Sequence, residues 1–424
     1  MKTQKLSLIS AIFMNINIIA GAGLFINTTL LTQLIGVYSC LSYLVIGIIM
    51  LPLIKTIAHL VRLHPSGGFY AFVKPVSPYL AFLTCWIYFF SKLASGALIL
   101  YVAAGFLQQV FPLLSLYCHQ LSLSIFILAI FTYANLFNIQ MGSIIQKIFF
   151  SAKAIPILVT IITGILTYNN LYIPTQQYTL IEFSSSLPFV LYCLAGFEAT
   201  CSISRKIESP SINGPKAIFY SFFIVIMAYT LFQYCISIML LPHINHITSY
   251  IDAFHIICQQ LPLAPSIQNT ITSLLNFLIS ISALGGAYGI LFSNSWNLYT
   301  LAEHNHTPFA NHLTMLNDDD IPTQSVCIES MICLLFLIIT QGNQVPLQQT
   351  AAFGATIAYT TSAIALLWQI NRIHIWHILS LITCCILIIS CINNTFIHGI
   401  NSLVILILMI LAGALIDRLS KKHP

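Results

Sequence analysis

Asn17-Ile18-Ile19-Ala20-Gly21-Ala22-Gly23-Leu24-Phe25 interrupts an apolar stretch that runs from Leu6 to Ile19 and resumes after the glycines as far as Ile35. A helix crossing hydrocarbon must satisfy its backbone polar groups internally. Glycines set in the middle of such a run therefore mean either close packing or an unwound segment facing a cavity. A second stretch of the same character, Tyr192-Cys193-Leu194-Ala195-Gly196-Phe197-Glu198-Ala199, lies five apolar spans later. An odd offset gives the second run the opposite orientation. Gly-broken spans at matching places in two halves are the sequence pointer to a site near the bilayer midplane. The glycines alone leave simple helix packing open as the alternative.

The rest of the chain has the same composition. Of 424 residues, 58% are apolar and only 6% are Asp, Glu, Lys or Arg, against about 25% charged residues in soluble domains, and the mean hydropathy is +0.91. So few charges cannot cover a soluble surface. That excludes a soluble globular enzyme, a secreted disulfide scaffold and a nucleic-acid binder resting on a basic face. Apolar runs of about 20 residues between short polar breaks match helices spanning a ~30 Å hydrocarbon layer. Twelve are expected, centred near residues 20, 48, 92, 129, 156, 195, 229, 284, 332, 357, 383 and 406. The expected fold class is an all-α polytopic membrane protein, a single transmembrane domain over residues 1–424.

An even number of spans puts both termini on one side. With that side cytoplasmic, Lys2, Lys5, Arg62, Lys74, Lys147, Arg205, Lys206, Lys216, Arg372, Arg418, Lys421 and Lys422 all fall inside, twelve of the fifteen Lys and Arg. The other three, Lys55, Lys92 and Lys153, lie within spans. The outer loops, about 109–120, 169–184, 242–267, 341–346 and 393–396, carry none, as the positive-inside rule requires. The Asp318-Asp319-Asp320 loop is then cytoplasmic as well. Lys2, Lys5 and the apolar stretch before Ala20-Gly21-Ala22 also resemble a signal peptide. Because apolar sequence resumes at once with Leu24-Phe25-Ile26, the expectation is an uncleaved broken helix. The longest outer loop, with Pro242, Pro262 and Pro265 around Tyr250, Phe254, Ile256 and Ile257, reads equally as a small cap or as a surface-lying connector.

Twelve Cys fall mostly inside apolar runs without a C-x-x-C pair and read as small hydrophobes. Thirteen His are scattered with no H-E-x-x-H, so neither a metal nor an organic cofactor is expected.

At the two glycine breaks the chain resembles the amino acid/polyamine/organocation permeases. Gly21-Ala22-Gly23-Leu24-Phe25 is similar to the glycine-small-glycine motif of that superfamily's first helix. His64-Pro65-Ser66-Gly67-Gly68-Phe69-Tyr70 is similar to its Pro-x-Gly-Gly-x-Tyr segment. Ala195-Gly196-Phe197-Glu198, followed by Ile207-Glu208-Ser209-Pro210 and Pro215-Lys216-Ala217-Ile218, resembles the signature of helix six and the segment after it. The resemblance implies a five-plus-five inverted repeat, at about 7–168 and 185–370, with helices one and six broken and two additional helices at about 373–416. It also implies a substrate site at the breaks. By motif match, Ala22 and Gly23 bind a carboxylate through backbone N–H, the carbonyls of Ile19, Tyr192 and Ala195 bind an amino group, and Tyr192 is the aromatic that covers the substrate. The physics agrees. Free N–H groups at a helix N-terminus suit an anion, and unpaired carbonyls suit an ammonium.

Ionisable residues inside spans cost about 2.5–3.5 kcal/mol each on insertion scales and are functional candidates. Lys55, near the inner end of helix two, can snorkel. For Lys92, a cavity-facing charge and a packing partner of Glu198 are both open. Lys153 stands seven residues after Gln146, as does a lysine in proton-coupled and exchanger branches of the superfamily. There the ammonium takes the place of the sodium bound by other relatives. Ser280 and Ser282, two apart, face different sides of helix eight and do not favour a sodium site. Lys153 and Glu198 are the expected coupling residues. The sequence departs from the superfamily at Ala58-His59-Leu60, Arg205-Lys206 and Trp296, which puts the ion pairs of the cytoplasmic gate in doubt.

The function expected is an inner-membrane permease for amino acids working by alternating access, proton-coupled as a symporter or exchanging as an antiporter. Its partners are a small-molecule amino acid, protons and the lipid bilayer, with no nucleic acid. Rivals are a non-transporting sensor or scaffold with the same fold, and an amine or polyamine transporter. A polyamine site should present several carboxylates, whereas Glu198 is the one acidic residue the sequence places well inside a span near the site. An intramembrane enzyme would need paired carboxylates, a Gly-x-Ser-x-Gly or a metal motif, none of which occurs within the spans.

Overall fold

The computed structural model describes residues 5–65, 67–167, 179–247, 250–399 and 401–420. Lys2, Ser66, Lys421, Lys422 and most of the 169–184 loop lie outside the described residues. The described chain is helical, and its single extended pairing is an isolated parallel bridge between Leu6 and Ile207. Each expected span centre falls inside a helix except residues 20 and 195, where the backbone is turned.

In chain order the helices are α1 (Leu8–Ile19), α2 (Ala22–Ile35), α3 (Ser39–Leu63), α4 (Phe69–Val73), α5 (Pro78–Val110), α6 (Pro112–Tyr117), α7 (Gln120–Ala134), α8 (Ile139–Thr167) and α9 (Leu180–Leu194). They continue with α10 (Ala199–Ser202), α11 (Pro210–Leu240), α12 (Tyr250–Gln259), α13 (Pro265–Glu303), α14 (Ala310–Leu313), α15 (Thr323–Thr340), α16 (Gln344–Gln369), α17 (Ile375–His398) and α18 (Asn401–Ser420). Among the described residues, nine helical stretches are long and apolar enough to cross a membrane. The first of these, Gly23–Leu63, turns at Gly36, whose φ of 56° favours glycine, and so separates α2 from α3. α1 and α7 are apolar but shorter.

Local sequence sets these boundaries. Ser77 caps α5 by accepting from the Leu80 N–H at 3.3 Å, with Pro78 in the first turn, where its missing N–H costs nothing. Thr179 and Glu182 form a reciprocal capping box at the start of α9. Most chain connections are short, two residues between α1 and α2 and three between α15 and α16, and fold successive helices back on one another.

α5 and α13 pack along each other at the centre, with α16 against α5, α1 against α13, and α11 against α1 and α3. Small residues permit the approach: a Cβ on Gly286 of α13 would stand 2.9 Å from the Gly21 Cα. α8, α15, α17 and α18 lie outside and expose Ile162, Leu335, Ile389 and Leu411. Outward apolar faces of this extent suit lipid rather than water. In the 242–267 segment, α12 packs its buried Phe254 against Phe25 of α2, ring centroids 6.5 Å apart.

Candidate functional site

The first break follows directly from its glycines. α1 ends at Ile19, the Gly21 N–H turns back to the Ile19 carbonyl at 2.8 Å, and Gly21 is extended before α2 starts at Ala22. The opening N–H groups of α2, those of Ala22 and Gly23 included, have no carbonyl of their own helix to bond. The second break has the same construction. α9 ends at Leu194, Ala195 is extended, and Gly196 takes φ of 120°, a conformation closed to side chains. The chain re-enters helix at Ala199.

The two breaks dock on each other. A Cβ on Gly196 would meet Ile18 Cγ2 at 2.9 Å and the Ile19 nitrogen at 3.2 Å, and a Cβ on Gly23 would meet the Tyr192 ring at 3.1 Å. Asn15 of α1 fastens the far side: its amide donates to Thr200 Oγ1 at 3.1 Å and accepts from the Thr200 N–H at 3.1 Å. Between the breaks lies a cavity of about 20 Å³, lined by Ile19, Gly21, Gly23, Tyr192 and Ala195 together with Lys92 and Ser95 of α5 and Ala351 and Ala355 of α16. That space suits roughly one water, so anything larger enters only when the lining side chains move aside. Ile19, Gly23, Tyr192 and Ala195 are thus brought together at the cavity, whereas Ala22 is placed only as the first residue of α2.

Glu198 is fully buried just beyond the second break. Its Oε1 accepts from Lys92 Nζ at 2.6 Å and from the Tyr88 hydroxyl at 3.0 Å, while Oε2 accepts from the Gly196 N–H at 2.9 Å. The carboxylate therefore ties the unwound segment to α5. Lys92 is at once the packing partner of Glu198 and a cavity-lining group.

Lys153 sits on another face of α1 and does not line the cavity. Buried to 1% exposure, its ammonium donates to the Asn17 carbonyl at 2.7 Å and to Asn17 Oδ1 at 2.8 Å. The Asn17 amide in turn donates to the Gly285 carbonyl of α13 at 3.0 Å and to Gln146 Oε1 of α8. One lysine thus joins α1, α8 and α13 three residues before the first break. Ser280 turns its hydroxyl to the Asn276 carbonyl of its own helix.

At the end of the bundle holding the N-terminal segment, ion pairs are present in a sense opposite to the superfamily pattern. Arg205 forks onto Glu303 at 2.9 and 3.2 Å, and Lys206 lies 3.7 Å from Asp320 and 5.0 Å from the Trp296 ring. The bases are on the loop after α10, and the acids are on and beyond α13. Burial lowers the Lys206 ammonium from its ordinary value, with the Asp320 carboxylate opposing. Leu6 closes this end by exchanging backbone hydrogen bonds with Lys206 and Glu208 at 2.8 and 2.9 Å.

Sequence reasoning missed two buried carboxylates. Asp417 of α18 bonds His306 at 2.7 Å, and His306 reaches the Tyr70 hydroxyl at 3.0 Å, which anchors the last helix to the Gly67-Gly68 segment. Glu329 of α15 is equally buried. An acid inside each apolar helix was the available signal. The Glu198 partners Tyr88 and Gly196 N–H had no such signal.

These features define a polytopic helical membrane protein with two interrupted helices meeting at a buried, partly polar cavity. A family model described as amino acid permease matches residues 6–416. The amino-acid permease AapA of Bacillus subtilis (strain 168) is 25% identical over 342 residues, covering 74% of this chain and 69% of that protein. The chain belongs to the amino acid permease family, and that membership indicates a transporter rather than an enzyme.

Proposed function

We propose that this protein is a secondary active transporter of amino acids in the inner (cell) membrane, with twelve spans, both termini cytoplasmic, and helices one (α1–α2) and six (α9–α10) as the broken members of two inverted repeats. The observation that carries the reading is the contact of the two breaks around the cavity of Gly23, Tyr192 and Ala195. The α-carboxylate would bind the α2 N-terminus at Ala22 and Gly23, and the ammonium would bind the carbonyls of Ile19, Tyr192 and Ala195. A free amino acid carries both groups. With the Leu6 bridge and the Arg205–Glu303 pair closed, access is from the other end, where a cavity of about 350 Å³ lies between α2, α5 and α16. Alternating access would open the first end and close the second.

Coupling is assigned to Lys153, with protons as the coupling ion or with exchange of one amino acid for another. Its ammonium occupies the position between α1, α8 and α13 that a bound cation would fill, and its hydrogen bonds end on helix one itself. Glu198 would serve as the fixed anchor of the moving segment, through Lys92 and Tyr88.

Counterflow tests this reading. Proteoliposomes containing the purified protein and preloaded with a mixture of the twenty unlabelled amino acids should accumulate external labelled amino acid transiently. Absence of any accumulation above protein-free liposomes, for every one of the twenty, would leave the sensor or scaffold reading in its place.

A further inference from the structure

Lys92 is the one basic side chain among the residues lining the cavity between the breaks, and it arrives there with its charge already matched. Its ammonium has three donors. One is held by Glu198 at 2.6 Å, and the side chain, which lines the cavity, retains 9% exposure. A second polar side chain lines the same cavity: Tyr192, whose hydroxyl is buried beside Ser95 and makes no hydrogen bond within 3.5 Å. Ser91 is turned away, its hydroxyl donating to the Tyr88 carbonyl at 2.7 Å. The opposite wall is apolar and narrow, made by Ile290, Ala351 and Ala355.

We infer that Lys92 determines substrate specificity: its spare N–H donors select amino acids with an uncharged, hydrogen-bond-accepting side chain, and its pairing with Glu198 excludes cationic side chains and polyamines. This rests on the permease reading and names the substrate class of that site. The backbone at the breaks takes the α-amino and α-carboxylate groups and leaves Lys92 and the Tyr192 hydroxyl for the side chain. A cationic side chain meets the ammonium of Lys92 and finds Glu198 occupied by Lys92, Tyr88 and the Gly196 N–H. A side-chain carboxylate would add a second negative charge beside Glu198 in a low-dielectric site. A hydroxyl or amide carbonyl fits the ammonium without changing the net charge. An apolar isostere leaves buried donors unpaired, which is the strong form of discrimination.

The test is calorimetric binding to the purified full-length protein of two nearly isosteric pairs, threonine with valine and asparagine with leucine, and of lysine and putrescine. In the unaltered protein the polar member of at least one pair should bind ten- to a hundredfold tighter, the scale of a hydrogen bond to a charged donor, and lysine and putrescine should not bind measurably. Lys92→Met combined with Glu198→Gln removes both charges together and should bring the polar-to-apolar ratio to within about twofold. Lys92→Arg, which keeps charge, donors and the pairing, should preserve the preference and stands as the check on folding. A ratio below tenfold in both pairs, or lysine binding as tightly as threonine, overturns the role of Lys92 while leaving the permease reading intact. Binding by neither member of either pair, where another of the twenty amino acids titrated in the same way does bind, overturns this inference alone, and failure of all twenty overturns the permease reading with it.

Discussion

Replacing Lys153 with alanine separates coupling from binding. The substitution removes two charge-assisted hydrogen bonds, to the Asn17 carbonyl at 2.7 Å and its side chain at 2.8 Å, each worth about 1.5–3 kcal/mol. Against this stands the desolvation of a buried ammonium, which costs several kcal/mol. The gain and the cost nearly offset, so what remains is the penalty of the unpaired Asn17 carbonyl, about 1–3 kcal/mol, and the protein should still fold. Function should change more. One proton moved per substrate across a gradient of one pH unit supplies about 1.4 kcal/mol, a tenfold accumulation at steady state. Proteoliposomes with the outside one unit more acidic should concentrate substrate up to about tenfold with the unaltered protein and about onefold with Lys153→Ala. Counterflow should persist in both, because the carboxylate and amine contacts are backbone groups on the far side of α1. Lys153→Arg should not restore accumulation, since a guanidinium keeps its proton. Accumulation by Lys153→Ala against its gradient would show the lysine to be a structural plug, and a sodium requirement in the unaltered protein would refute proton coupling.

Gly23→Leu should abolish uptake with near-normal expression, because even its Cβ lies 3.1 Å from the Tyr192 ring, whereas Gly96→Ala, whose Cβ meets only Ile290 at 3.5 Å, should transport normally; equal uptake by the two removes Gly23 from the site. Arg205→Glu and Glu303→Arg should each impair transport and together restore it, with a coupling of about 0.5–1 kcal/mol, two- to fivefold, as for part-exposed pairs; a double variant no better than the singles refutes a charge-paired gate. For topology, in a Cys118→Ser background, Tyr117→Cys should react with an impermeant thiol reagent in intact cells and Phe309→Cys only after permeabilisation, since both side chains are largely exposed, 85% and 76%; the reverse pattern inverts the orientation.

Much of the fold is legible because lipid imposes one rule on every span. Apolar length and the placement of Lys and Arg can be read without tertiary knowledge, and residues 20 and 195, where the backbone turns, were marked by Gly21, Gly23 and Gly196. Lys153 stands out through the family resemblance, seven residues after Gln146, and the structure brings both side chains to Asn17. What could not be read is which long-range partner saturates a buried charge. Lys92 and Glu198 are 106 residues apart in sequence numbering; the sequence leaves their pairing open beside a cavity-facing charge, and the packing of α5 against the second break makes them a pair. The gate shows the same limit. Arg205, Lys206 and Trp296 leave the ion pairs in doubt when each position is taken alone, because the acids Glu303 and Asp320 that answer the two bases lie elsewhere in the chain. The closure by Leu6 depends on one parallel bridge, too short to leave a periodic trace. Gly413 illustrates a packing glycine that sequence cannot tell from a functional one: a Cβ there would strike the Trp86 ring at 2.7 Å.

The central claim is that the two helix breaks form the amino acid site. Its most direct test is an experimental structure of the protein with its tightest-binding amino acid. The account predicts the α-carboxylate against the N–H groups of Ala22 and Gly23, the ammonium at the carbonyls of Ile19 and Ala195, and the Tyr192 ring displaced from Gly23 to cover the ligand. An amino acid seated instead in the larger cavity beside Phe25, Tyr101 and Gln344, with the Tyr192 ring still resting on Gly23, would contradict it.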